Sequence, residues 1–519
     1  MQGSSSGKSA IRLAPSLAPP AGHSPFNRFG SHGYKTMLAA EPIVELLLTL
    51  GLILLAMSSL NLLGLMLARL LMPTRRLVTT PPTGEHRPTV LVQLPLFNEG
   101  ELVDRVLEAV MALDWPRERL QIQVLDDSTD EFSLSLSQRA VAKLRREGVQ
   151  IELLHRIKRT AFKAGALAAG LERSDAEFVA IFDADFMPSP SFLRQTLGPL
   201  LAQPDLAYVQ ARWAHINRDD SLLTRTQARL LDSHFQVEQE ARWRLGLPVP
   251  FNGTCGVWRR RAIDDAGGWQ GDTLTEDLDL SLRARLRGWR SGFMKDLPVP
   301  GVLPVSVRAW RTQQFRWTKG FAQCFVKLLP TIWASPALPR WQKLMISFQL
   351  GQPLAFLIGA VCVVLGLPFI AGAAVAGETL GRVAIVTSML GFAAPIGFLT
   401  LAGIRSGVRA TATEVFGALF LTTGLLLSNA RAGLEALLGY RSPFVRTPKG
   451  AVTVGPRRMV RWPNGLLELS AGLGLLGFAL MEQPVTVIYL VMVIGGLLGV
   501  GTLQFLDGRA LSKQTGAGS

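Results

Sequence analysis

Between Leu46 and Ala68 the chain runs for 23 residues without a charge. At ~1.5 Å of rise per residue a helix of that length crosses a ~30 Å hydrocarbon core, so the segment predicts a transmembrane span. It starts too late and runs too long for an ordinary signal peptide. Arg69, Arg75 and Arg76 follow it, which directs its C-terminal end to the cytoplasm. Charge-free stretches return after Pro330 at 344–377 and 383–404, and 464–506 holds only Glu468 and Glu482. The last reads as a hairpin of two helices turning near Glu482-Gln483-Pro484. A further stretch, Val415 to Ala430, has 16 uncharged residues, short of the usual ~20. The loop beyond it, 431–461, carries seven basic residues against Glu435 alone, which makes it cytoplasmic. An even number of spans must then separate it from a cytoplasmic soluble domain. Residues 344–377 and 383–404 are therefore taken as spans, and 411–436 as a helix lying on the interface, five spans in all.

Residues 80–305 differ in character. Short runs rich in Val, Ile and Leu (89–97, 122–125, 177–182 and 206–214) alternate with helix-length stretches such as 99–112 and 131–147. That alternation predicts a doubly wound, mostly parallel α/β sheet, whose ligands bind beyond the carboxyl ends of the strands. The expected order is a disordered leader (1–40), a first span (41–72), the α/β domain (80–305) and interfacial helices (306–343). Two spans (344–404), an interfacial helix and loop (411–463), two more spans (464–506) and a cytoplasmic tail (507–519) follow.

Acidic clusters stand where three of these strands end: Asn98-Glu99, Asp126-Asp127 and Asp183-Ala184-Asp185. In a parallel sheet those ends share one edge. Asp183 and Asp185, two apart on extended backbone, point the same way and can address one hard cation, Mg²⁺ or Mn²⁺, together with phosphate oxygens. A single Asp-x-Asp is ordinary turn chemistry; three strand ends that agree are not. The basic segment His155 to Gly170, with Arg156, Lys158, Arg159 and Lys163, leads into a small-residue helix and suits a diphosphate, or is simply a solvated face. Thr275-Glu276-Asp277 opens a helix, where acids cap the first turn and where the helix start would keep Asp277 ionised, as a general base must be. In Trp310 to Lys319, Trp317 can stack on a pyranose while Arg316 meets phosphate; the alternative is an interfacial helix with aromatic anchors.

Other readings are weaker. Lys and Arg exceed Asp and Glu by 15, a surplus compatible with nucleic acid, an anionic membrane face or a phosphorylated substrate. Cys255, Cys324 and Cys362 show no disulfide or zinc spacing, and the six histidines no metal-ligand pairs. Gly3 to Ser9 imitates a P-loop with no strand before it.

Asp126-Asp127, Asp183-Ala184-Asp185, Thr275-Glu276-Asp277 and Gln313-x-x-Arg316-Trp317 together resemble, in order, the D, DxD, TED and QxxRW series of processive membrane glycosyltransferases of family 2, the cellulose synthase superfamily. VLDDSTD (124–130), FKAGAL (162–167), FNGTCGVWR (251–259) and TEDLDLSLRA (275–284) look like its cellulose-synthase-like A and C group, which makes mannan, glucomannan and the xyloglucan backbone. Phe444 to Lys449 is similar to the family's gating loop, with Arg446 in place of Val. The resemblance implies a glycosyltransferase A-type domain inserted in a helical membrane domain of the plasma (bacterial inner) membrane, facing the cytoplasm. Asp277 would be the base. Glu99, Asp126, Asp127, Lys163, Asp183, Glu276, Gln313, Arg316 and Trp317 would bind substrate, and Asp183 and Asp185 the Mg²⁺ or Mn²⁺. The implied reaction is inverting transfer of a hexose from GDP-mannose or UDP-glucose to a growing, β-1,4-linked polysaccharide that is pushed across the bilayer, with no nucleic acid involved. Two readings compete: a transferase adding one sugar to a membrane lipid, and a nucleotide-binding transporter, which would leave the TED and QxxRW sets without a purpose.

Overall fold

The computed structural model describes residues 31–80, 87–100, 102–371, 374–405, 412–442, 465–482 and 486–516. The gating-like segment 444–449, residues 1–30 of the expected leader and the end of the tail lie outside the described residues. A long helix, α1 (Ser31–Leu71), opens the described chain and begins inside the stretch expected to be leader.

The α/β domain follows as β1 (Val90–Leu96), α2 (Leu102–Met111), β2 (Leu120–Asp126), α3 (Glu131–Arg146), β3 (Ile151–His155), α4 (Phe162–Leu171), β4 (Phe178–Ile181), α5 (Phe192–Ala202) and β5 (Leu206–His215). Next come α6 (Leu222–Ser233), α7 (Glu240–Arg244), β6 (Gly256–Arg259), α8 (Arg260–Asp265), α9 (Glu276–Leu286) and β7 (Arg290–Gly301). The seven strands lie in the order β3-β2-β1-β4-β6-β5-β7. All neighbours pair in parallel except β6, which runs antiparallel to both β4 and β5. β1 and β4 are apolar runs buried on both faces, the pattern of central strands covered by helices on either side. In α2, Val103, Val106, Leu107 and Val110 recur at helical spacing and bury one stripe against the sheet. Asp130 caps α3 by accepting the Ser133 N–H at 2.8 Å.

The chain then becomes helical: α10 (Val307–Ala334), α11 (Arg340–Gly351), α12 (Ala355–Ile370), α13 (Glu378–Arg405), α14 (Ala412–Gly424), α15 (Leu426–Leu437), α16 (Leu466–Glu482) and α17 (Thr486–Gly516). Among the described residues four stretches are long and apolar enough to cross a membrane: Glu41–Leu71, Arg340–Ile370, Glu378–Gly403 and Leu490–Asp507. α14 and α15 form a pair bent by 49°, and the apolar helix Leu466–Met481 is shorter than the four.

The two parts are joined by buried polar contacts. Fully buried Arg229 on α6 pairs with Glu414 on α14 at 2.6 Å, and Arg218 reaches the same carboxylate at 3.1 Å. Arg69 on α1 donates to the Gln236 carbonyl at 2.9 Å. From α7, Arg244 donates to the carbonyls of Arg69 and Met72, and the Trp243 indole N–H to that of Arg75.

Candidate active site

Because β1, β2 and β4 are parallel neighbours, their carboxyl ends open onto one edge. A cavity of about 480 Å³ lies there, within the ~300–1,000 Å³ common for small-molecule sites. Its wall contains Glu99, Asp127, Lys163, Asp183, Asp185, Glu276, Asp277, Gln313, Arg316 and Trp317. Asp126 of the expected substrate and metal set is not in the wall, and neither are Arg156 and Lys158 of the basic segment. The Asp126 carboxylate is fully buried and accepts the Ser128 N–H at 2.7 Å, holding the turn after β2. Asp127 faces the cavity and is gripped by Arg156 through two hydrogen bonds of 2.8 and 2.6 Å. The Arg159 guanidinium lies 3.3 Å from the Phe97 ring centroid at the same end.

Lys163 is committed within the site as well. Its ammonium donates to Asp183 Oδ1 at 2.6 Å and to the Gly253 carbonyl at 2.8 Å. Burial alone would lower its pKa, but Asp183 and then Glu276 outweigh that, and the pKa rises. Gly253 has φ of +77°, a conformation open to glycine, and a Cβ there would stand 3.0 Å from Asp277 Oδ2. The loop before β6 therefore passes directly beneath the Asp277 carboxylate. Thr254 Oγ1, one residue on, accepts the Asp183 N–H at 2.9 Å.

Asp277 sits in the first turn of α9, where Oδ1 accepts the Leu278 N–H at 2.9 Å. The helix start does not keep its pKa low: loss of water, and then the neighbouring Glu276, push it up to about 7. Burial raises Glu276 too, and chiefly burial lowers Arg316. A carboxyl poised near neutrality can accept a proton in its ionised form and is a stronger base than an ordinary aspartate.

α10 carries Gln313, Arg316 and Trp317 at i, i+3 and i+4, hence on one side. The Trp317 ring lies 6.3 Å from Trp213 and 6.3 Å from Trp310, forming an aromatic row. The helix approaches closely because position 320 is glycine; a Cβ there would overlap the Thr275 side chain. Gly320→Val is expected to destabilise the protein by about 1–3 kcal/mol by forcing α10 away from α9. The check is a thermal melt in detergent, and an unchanged Tm would refute so tight a contact.

Two features escaped the sequence reading. From α12, α13, α14 and α15, Phe356, Phe398, Thr422 and Asn429 complete the wall, and Asn429 is fully buried with neither amide atom hydrogen-bonded among the described residues. An amide within a long apolar stretch was the available signal. On the other flank His234 and Glu238 enter the wall from a single wide π-helical turn, His234–Gln239, which has no apolar periodicity to announce it.

Among the described residues no three His, Cys, Asp or Glu side chains gather to hold a metal. Asp183 and Asp185 present two carboxylates to the cavity, and such a pair suits a hard divalent cation that completes its shell with diphosphate oxygens and water.

Residues 87–320 match the family model described as "Glycosyltransferase like family 2". The match covers the α/β domain and the start of α10, and that part of the chain is similar to family 2 glycosyltransferases. Over 265 residues the chain is 44% identical to glucomannan 4-beta-mannosyltransferase 2 of Arabidopsis thaliana, covering 50% of this chain and 50% of that protein. Glucomannan 4-beta-mannosyltransferase 1 of Oryza sativa subsp. japonica is 43% identical over 265 residues, covering 50% and 51%. The chain spans about half the length of these curated relatives. The fold is also that of mannosyltransferase PcManGT from Pyrobaculum calidifontis, solved in complex with GDP-Man and Mn2+, with a TM-score of 0.52 at 20% identity over 75% of this chain and 99% of that one. The motif resemblance to the cellulose-synthase-like A and C group is consistent with these relatives, which are named as glucomannan mannosyltransferases.

Proposed function

We propose that the protein transfers mannose from GDP-mannose, with inversion, to the non-reducing end of a β-1,4-linked glycan and passes the chain across the membrane, its catalytic domain facing the cytoplasm of a plasma (bacterial inner) membrane. One observation carries the reading: Asp277, the Asp183/Asp185 pair and Trp317 share a single cavity with Phe356 and Phe398 of two membrane-length helices and with Thr422 and Asn429 of the bent pair α14 and α15. A bond formed at Asp277 would leave the product already among those helices. The choice of mannose over glucose rests on the named activity of the sequence relatives.

Asp277 takes the proton of the attacking acceptor hydroxyl as the bond to the anomeric carbon forms on the face opposite the departing diphosphate. Lys163 and Arg316 hold positive charge toward that diphosphate. Asp183 and Asp185 would hold Mg²⁺ or Mn²⁺, which when bound stabilises charge on the leaving group. Trp317 seats the acceptor ring, and Asn429 offers an unused amide to the sugar beyond it.

Purified protein given GDP-[¹⁴C]mannose and Mg²⁺ or Mn²⁺ should form material that β-1,4-mannanase degrades. Excess EDTA should stop it, and Asp185→Ala should lose donor affinity and metal response together. Transfer from UDP-glucose alone would change the sugar, and transfer from no nucleotide sugar would overturn the enzyme. Full activity in EDTA would remove the metal.

A further inference from the structure

The π-helical turn His234–Gln239 is continuous with α6 before it and α7 after it. Such turns are rare, occur mostly as single turns inside α-helices and are frequent at functional sites. Here the turn brings His234 and Glu238 into the cavity wall. His234 Nδ1 donates to Glu238 Oε2 at 2.9 Å, and Arg242 Nε to Oε1 at 3.1 Å. His234 Nε2 meets the amide nitrogens of Gln239 at 3.0 Å and Asn252 at 3.3 Å. Both amides donate, so the imidazole proton sits on Nδ1 and points at Glu238.

The position of this pair is informative. Asn252 precedes Gly253, whose carbonyl takes the Lys163 ammonium and whose Cα lies beneath Asp277. The Phe235 ring, inside the turn, lies 5.3 Å from that of Trp213 at a tilt of 42°, and Trp213 in turn neighbours Trp317. The pair thus bridges the reacting centre and the aromatic row. A carboxylate held by two donors only accepts further hydrogen bonds. A diphosphate offers it nothing but negative oxygens, whereas a sugar offers hydroxyl donors.

We infer that Glu238 positions the acceptor: it accepts hydrogen bonds from hydroxyls of the sugar ring seated on Trp317, and His234 fixes its orientation. The inference rests on the glycosyl-transfer reading above. Glu238→Asp keeps the charge opposite Arg242 but withdraws the carboxylate by one methylene, and Glu238→Gln keeps the length but loses the charge. With β-1,4-manno-oligosaccharide acceptors and saturating GDP-mannose, each is expected to raise the acceptor KM at least tenfold. GDP-mannose KM and donor hydrolysis by water should stay within threefold. His234→Phe, which leaves Glu238 and Arg242 in place, should raise the acceptor KM about three- to tenfold. An unchanged acceptor KM in folded Glu238→Asp overturns the assignment, as does a parallel fall in donor hydrolysis, which would place Glu238 on the donor. Loss of folding in all three variants would assign the turn to the scaffold and overturn it too. Absence of mannose transfer by the parent protein would instead strike the transferase reading itself.

Discussion

Asp277→Asn is expected to cut sugar transfer by about 100- to 10,000-fold while GDP-mannose binding changes by no more than a few fold. The amide keeps the shape and still accepts the Leu278 N–H, but it cannot take the proton. Donor affinity by calorimetry and rates by product counting separate the two; equal losses of binding and rate, or activity above a few percent, would remove the base assignment. The pKa of about 7 adds a signed test. Transfer needs the ionised form, so kcat/KM of the parent should fall as pH drops below about 7. Stability should run the other way. The folded state binds this proton more tightly than the unfolded chain, whose aspartate titrates near ~3.9, so the stabilisation is full below about pH 4 and is lost as pH rises to about 7. Asp277→Asn, which never ionises, should therefore melt at a higher temperature than the parent at pH 8.

Trp317→Ala should fold and bind donor yet elongate poorly. Removing a stacked indole costs on the order of 1–3 kcal/mol, roughly 5- to 150-fold in acceptor use. Water then competes for the sugar, so slow donor hydrolysis outlasts polymer formation. Trp317→Phe should restore part of the elongation. A membrane anchor would behave differently, tolerating aromatic exchange and altering insertion rather than rate. Trp333 and Trp341, each 48% exposed, are better placed for anchoring than Trp317, which faces the cavity. Normal elongation per folded molecule by Trp317→Ala would make it an anchor after all.

What could be read from the chain alone follows from where local rules suffice. Buried parallel strands are apolar runs, so β1, β2, β4 and β5 stood out, and acids at their ends had to meet because parallel strands share an edge. The rules say nothing about which of two adjacent aspartates turns inward; Asp126 went to the turn and Asp127 to the cavity through contacts with Ser128 and Arg156. Strand β6, four residues long and antiparallel, depends on tertiary pairing with β4 and β5. A helix start argued for an ordinary ionised Asp277, but desolvation in the pocket and the charge of Glu276 are long-range effects that no spacing encodes. The π turn was hidden for a similar reason: its side chains serve a cavity built by distant segments.

The seam between the two halves has a practical consequence. Arg229 and Glu414 are 185 positions apart in the chain, both buried, and each neutralises the other. Removing one partner of such a pair costs about 3–5 kcal/mol, a sizeable share of a domain's stability. A polypeptide cut after residue 305 would lose Glu414, one wall of the cavity and α10 at once. The boundary that hydropathy draws there divides solvents, while cooperative folding ignores it. Truncation to a water-soluble fragment is therefore the wrong way to test the proposed transfer, and the assays call for the full chain in lipid or detergent.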